Sequence, residues 1–162
     1  MSNELDFEDL EFEDFMKSVK LSLIFEDWLN ESTEDKILTK FKVAPGELRG
    51  RLELADWLIY SLNELALLQG YKDILTSVRK LRIRMRYGIR DELIPLVRLK
   101  GIGRVRARKL FNASLTSLEK LRITPVESIA KIIGIKVAND VKKQLGEKTE
   151  LKEEKQSTLG KF

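Results

Sequence analysis

The sequence predicts an all-α chain of two helical units followed by a polar tail. Three observations carry this. Apolar residues recur at helical spacing through most of the chain. Glycine and proline fall where helices start and stop. No alternating apolar–polar run of strand type survives anywhere.

Glu13 to Glu31 reads as the first helix, with Phe12, Met16, Val19 and Leu23 as its core stripe, extended by Trp28 and Leu29. Ser32 is an expected N-cap for a short second helix carrying Ile37, Leu38 and Phe41, with Asp35 as its capping-box partner. Pro45 opens the longest helix, Pro45 to Gln69, which ends at Gly70. Its expected core stripe is Leu48, Leu52, Ala55, Ile59, Leu62 and Ala66. Trp57 falls on the opposite side. It is either covered by a second layer, together with Leu54 and Leu68, or left open for stacking. A basic helix follows from Tyr71 to Tyr87 and stops at Gly88. Its Arg79, Lys80, Arg82, Arg84 and Arg86 form either a solvated face or a phosphate track.

Asp91 is the expected cap of the next helix, where Pro95 is tolerated near the first turn. Arg98 to Gly146 then alternates helices with two short glycine loops, and Thr124-Pro125 marks a helix start before the second. Glu147 to Phe162 is polar and without core periodicity, which predicts a flexible tail. The domain boundaries expected are therefore 1–88, 89–146 and 147–162.

Composition narrows the function. The 162 residues include no cysteine and no histidine, and 35% are charged. Disulfides, thiolate and imidazole chemistry and ordinary zinc sites are excluded. There is no GxxxxGK[ST] loop and no carboxylate pattern suited to metal-dependent cleavage, so no catalytic residue and no metal site is expected. No apolar run reaches membrane-span length, and the acidic N-terminus is no signal peptide. A cytoplasmic monomer is expected. Charge is strongly polarised. Met1 to Asp35 holds 12 acidic and 2 basic residues, whereas Arg79 to Lys109 holds 12 basic and 2 acidic. The basic stretch predicts a polyanion partner, unless acidic and basic parts pack on each other.

The strongest motif is Leu99 to Phe111, LKGIGRVRARKLF. Gly101 and Gly103 would let the backbone turn tightly around a buried Ile102. Amides at the following helix start would then converge on a phosphate, with Lys100, Arg104, Arg106, Arg108 and Lys109 around it. A plain helix-loop-helix corner is the alternative. Ile132 to Lys136 looks like a degenerate second copy, expected to pair structurally with the first. At the end of the chain Gln156, Leu159 and Phe162 have Q-x-x-L-x-x-F spacing, suited to an apolar pocket with a polar rim.

These stretches also carry a family resemblance. Arg90 to Ala113, RDELIPLVRLKGIGRVRARKLFNA, resembles the C-terminal helix-hairpin-helix domain of archaeal repair helicases of the Hjm type, in the Ski-two-like branch of helicase superfamily two. Phe15 to Leu67, with FEDWLNE and KFKVAPGELRGRLELADWLIYSLNELA, resembles the end of the helical ratchet domain of the same helicases. The likeness covers roughly residues 12 to 146. It implies binding to single-stranded or forked DNA at stalled forks or junctions. Trp57 matches a base-stacking tryptophan. The arginine that accompanies it in the family falls at Gly50, with Arg49 and Arg51 on either side. Arg104, Arg106 and Arg108 match a basic helix that grips the departing strand. ATP and magnesium serve the family's motor domains, which have no counterpart here, so no cofactor is expected for this chain. The tail resembles a sliding-clamp (PCNA) interaction peptide. The rival expectation is a non-catalytic scaffold that docks a clamp, a nuclease or a helicase motor.

Overall fold

The structure is a computed structural model that describes residues 7–146, with side chains described from residue 11. Gln156, Leu159 and Phe162, and the expected flexible tail with them, lie outside the described residues. Every regular element among the described residues is helical: α1 (Phe7–Leu29), α2 (Glu34–Phe41), α3 (Pro45–Leu68), α4 (Lys72–Tyr87), α5 (Ile94–Val97), α6 (Arg104–Asn112), α7 (Leu118–Ile123), α8 (Val126–Ile133) and α9 (Ile135–Gln144). The all-α class expected from the periodicity is observed. A 3-10 turn, Asp91–Leu93, precedes α5. The chain divides into two units between Asp91 and Glu92. No described helix is long and apolar enough to cross a membrane.

In the first unit, Ile24 of α1, Ile37 of α2, Val43 and Leu48 of α3 form a buried cluster. Phe25, Trp28, Leu38, Phe41 and Leu52 pack around it. Burying one such aliphatic side chain stabilises the fold by roughly 1.5–3 kcal/mol. The short α2 depends on this burial, because eight residues are marginal as an isolated helix. Its N-cap is Thr33, whose Oγ1 accepts from the Lys36 amide at 3.4 Å, and not Ser32 as expected. Thr33 has the extended backbone of a cap and stands just before Glu34, the first helical residue.

Two core expectations are corrected. Phe12, Met16 and Leu23 are exposed; Ile24 is the fully buried residue of α1. Burial in α1 concentrates near its C-terminal end, where Phe25 and Trp28 meet the cluster. The N-terminal turns have no described neighbour that covers their stripe. In α3, Leu48, Ala55 and Ala66 are buried as expected, but Leu62 is 47% exposed and Asn63 is buried instead. The buried arc is rotated toward Asp56 and Asn63, because α4 brings arginines to both. Leu62 is left at its edge.

α4 runs against α3 and is stopped by Gly88, which takes left-handed φ of 63° and donates to the Arg84 carbonyl at 2.7 Å. A Cβ at Gly88 would stand 2.7 Å from the Trp28 ring. The indole Nε1–H of Trp28 donates to the Met85 carbonyl at 2.7 Å, so Trp28 locks α1 onto the end of α4. Asp91 caps no α-helix. It opens the 3-10 turn and its carboxylate lies 3.7 Å from Arg84 and from Lys80.

The second unit buries Leu93, Ile94, Leu96, Val97, Ile102, Ala107, Leu110, Leu121, Val126, Ile129, Ala138 and Val141. Two tight turns organise it. The first passes through Gly101 with φ of 82° and enters α6 through Gly103. The second is a single residue, Gly134, with φ of 88° between α8 and α9. Lys142 of α9 is only 2% exposed, and its Nζ donates to the Arg122 carbonyl at the end of α7 at 2.7 Å. A buried ammonium is tolerated where it satisfies a helix-end carbonyl.

Candidate nucleic-acid interface

The LKGIGR turn is held from two sides. The Gln144 side chain of α9 takes both backbone groups of Lys100: its Oε1 accepts from the amide at 2.8 Å and its Nε2 donates to the carbonyl at 3.2 Å. Arg106 donates to the Gly101 carbonyl at 2.9 Å. Ile102 is buried beneath the turn, as its position between two glycines suggested. The two glycines differ in their reasons. Gly101 has left-handed φ. Gly103 has extended backbone and open space where a Cβ would be, so the fold does not require glycine there.

Gly103 and Gly134 come to one open groove of about 600 Å³, lined also by Arg104, Val105, Arg106, Lys109, Ile132 and Ile133. The first turns of α6 thus meet the α8–α9 turn, with three cations on the rim and apolar residues on the floor. Backbone N–H groups at a helix start, flanked by cations, can donate to a phosphate oxygen. Lys100 and Lys109 are exposed. Arg108 is differently placed: it pairs with Glu92 at 2.9 Å and stacks on the Phe111 ring at 5.1 Å. Its guanidinium is engaged inside the unit and does not line the groove.

In the first unit, Trp57 is 60% exposed in the middle of α3, with Leu54, Leu58, Leu65 and Leu68 exposed beside it. No described second layer covers it. Arg51, six residues before it, pairs with Glu47 of its own helix. Arg49 is exposed and lines a different hollow, shared with Trp28, Asp56 and Arg86. The structure therefore does not bring Arg49, Arg51 and Trp57 to one patch.

The basic helix α4 is largely neutralised by its own unit. Asp56 takes Arg82 through two hydrogen bonds of 3.0 and 3.2 Å and Arg86 through a third of 3.1 Å. The Arg82 guanidinium beside Asp56 holds that carboxyl below its ordinary range, against the opposing effect of burial, with Arg86 adding to the lowering. Arg82 also lies over the Tyr60 ring at 4.5 Å, and Arg79 donates to Asn63 at 3.2 Å. Sequence reasoning missed Asp56, Asn63, Glu92 and Gln144 as partners. The i, i+7 spacing of Asp56 and Asn63 on one face of α3, facing a helix with an arginine at alternate positions, was the available signal.

The described residues thus form a helical module with a glycine-turn cation groove in one unit and an open tryptophan on the long helix of the other. Residues 1–88 match the family described as archaeal helicase, domain 4, and the chain belongs to that family. It is 41% identical over 145 residues to the ATP-dependent DNA helicase Hel308 of Methanocella arvoryzae, covering 88% of this chain and 20% of that protein. It is 38% identical over 163 residues to the protein of the same name in Pyrococcus abyssi, covering 98% of this chain and 22% of that one. For that of Thermococcus kodakarensis the identity is 40% over 143 residues, covering 86% and 13%. The chain thus spans about a fifth, or less, of the length of these relatives.

Proposed function

We propose that this chain is the single-stranded and forked DNA-binding, regulatory region of an ATP-dependent DNA repair helicase acting at stalled forks or junctions. The observation that carries the reading is Trp57. A tryptophan 60% exposed in mid-helix, on the side opposite the buried arc, is retained at a cost in solubility unless something stacks on it. Bases stack on such rings with little sequence preference. The groove between Gly103 and Gly134 supplies the complementary half, a phosphate grip that reads no sequence. It is the helix-hairpin-helix element of this reading, and it restrains a strand rather than choosing one. ATP and magnesium act elsewhere in such a helicase, and no residue here is assigned to them.

Fluorescence-anisotropy titration with single-stranded and forked oligonucleotides tests this. Binding that weakens with rising salt, and is reduced by Trp57→Ala and by Arg104→Ala, is the expected result. Unchanged affinity in both variants overturns the site assignment.

One observation favours a second reading, a protein-docking scaffold. Leu54, Leu58, Leu65 and Leu68 extend the exposed ring of Trp57 into an apolar face. On that reading the chain shows no DNA binding even at low salt, while a sliding clamp binds it firmly and is lost on deletion of Phe162.

A further inference from the structure

The groove at Gly103 and Gly134 is divided between charge and apolar surface. Arg104, Arg106 and Lys109 supply its cations, and none of its described lining residues is acidic. Its remaining side chains are Val105, Ile132 and Ile133. Ile133 is buried and Ile132 half-buried, so the core of the unit holds both. Val105 is different. It is 67% exposed in the first turn of α6, where a β-branched residue is a poorer helix former than the arginines and lysine around it. Neither core packing nor helix propensity accounts for a valine at this position.

Lys109 stands four residues after Val105, so the two share one face of α6, and both line the groove. Arg106 donates back to the Gly101 carbonyl at 2.9 Å. A ligand lying in the groove therefore meets cations beside an aliphatic surface. That pairing matches the backbone of a nucleic-acid strand, in which each anionic phosphate is joined to a sugar. The hydrogen-bonding side chains of the lining are donors only, since arginine and lysine carry no acceptor. The Gly103 and Gly134 carbonyls already accept from the amides of Ala107 and Ala138. A ribose 2′-hydroxyl, which both donates and accepts, thus meets no side-chain acceptor in the lining. Deoxyribose presents only C–H at that carbon.

We propose that Val105, with Ile132, packs against the sugar of a bound strand and makes the groove selective for deoxyribose over ribose. This rests on the phosphate-grip reading above and deepens it: the cations hold a strand of either kind, and the valine sets which sugar is accepted. A hydroxyl pressed onto an aliphatic surface without an acceptor loses its hydrogen bond to water, and that cost appears as weaker binding of RNA. The grip still reads no base.

The test is anisotropy titration of the full chain with oligodeoxyuridylate and oligouridylate of equal length, which differ only at the 2′ carbon. Wild type is expected to bind the deoxy strand about tenfold more tightly. Val105→Thr keeps the shape of the side chain and adds an acceptor. It is expected to keep the melting temperature and to bring the two affinities within about twofold of each other, mainly by tightening the ribose strand. Arg104→Ala weakens both strands by the same factor and leaves their ratio unchanged. A 2′-fluoro strand, which lacks the hydroxyl but keeps the ribose-type pucker, is expected to bind wild type like the deoxy strand. If Arg104→Ala weakens both strands but wild type shows no preference, or the preference survives Val105→Thr, the sugar contact is wrong and the phosphate grip stands. If the 2′-fluoro strand binds as weakly as the ribose strand, sugar shape decides rather than the hydroxyl, and the proposal is overturned. If Arg104→Ala changes neither affinity, grip and sugar contact fall together.

Discussion

Gly88 and Gly103 separate two uses of glycine. Gly88 is required by the fold, because its φ is left-handed and a side chain would enter the Trp28 ring. Gly88→Ala is expected to destabilise the first unit by about 2 kcal/mol or more, read by denaturant unfolding. Gly103 has no such constraint. Gly103→Ala is expected to leave the melting temperature within a degree or two and to weaken DNA binding, because the added methyl stands at the mouth of the groove. Equal loss of stability in both variants would contradict this. Asp56 gives a pH signature. Its folded carboxyl titrates below its ordinary range, so its contribution is fully present above the unfolded value and is lost as pH falls through the folded one. Asp56→Asn should therefore flatten the acid limb of the stability curve, measured by thermal melts between about pH 2 and 5.

At the scale of elements, α9 is the support of the LKGIGR turn. Gln144 satisfies both backbone groups of Lys100, and no other side-chain partner of those groups is seen among the described residues. Gln144→Ala is expected to cost about 1 kcal/mol and to raise amide exchange of the turn without affecting α1–α4, as read by hydrogen exchange. Much of this level was legible in the sequence. Pro45 opens α3, Gly88 ends α4, and the two glycine turns fall where the motif puts them. What the sequence hid were relations between elements. Leu62 fits the periodicity of a core stripe, yet the side of α3 that α4 covers is set by Asp56 and Asn63 pairing with arginines 16 to 30 residues away. Asp56 and Asn63 do share a face at i, i+7, but that spacing does not say which neighbouring helix covers the face. The same reason hid the engagement of Arg108, which looked like part of a basic ridge until Glu92 and Phe111 were seen on it.

For the whole molecule, the polarised charge is partly spent inside each unit. Asp56 takes two arginines of α4, Asp91 lies near Lys80 and Arg84, and Glu92 holds Arg108. Because Arg82, Arg86 and Arg108 are engaged by carboxylates of their own units, the slope of binding against salt is expected to fall below the 12 basic residues of Arg79 to Lys109. Trp57 is the residue proposed to meet bases. The chain has two tryptophans, and Trp28 is committed to Met85 and Gly88, which makes emission a direct readout. Titrating single-stranded DNA into wild type and into Trp57→Phe is the decisive measurement. Saturable quenching in wild type that disappears in Trp57→Phe, with binding retained by anisotropy, is the predicted result. Quenching that persists in the variant, or binding without any change in emission, would contradict it.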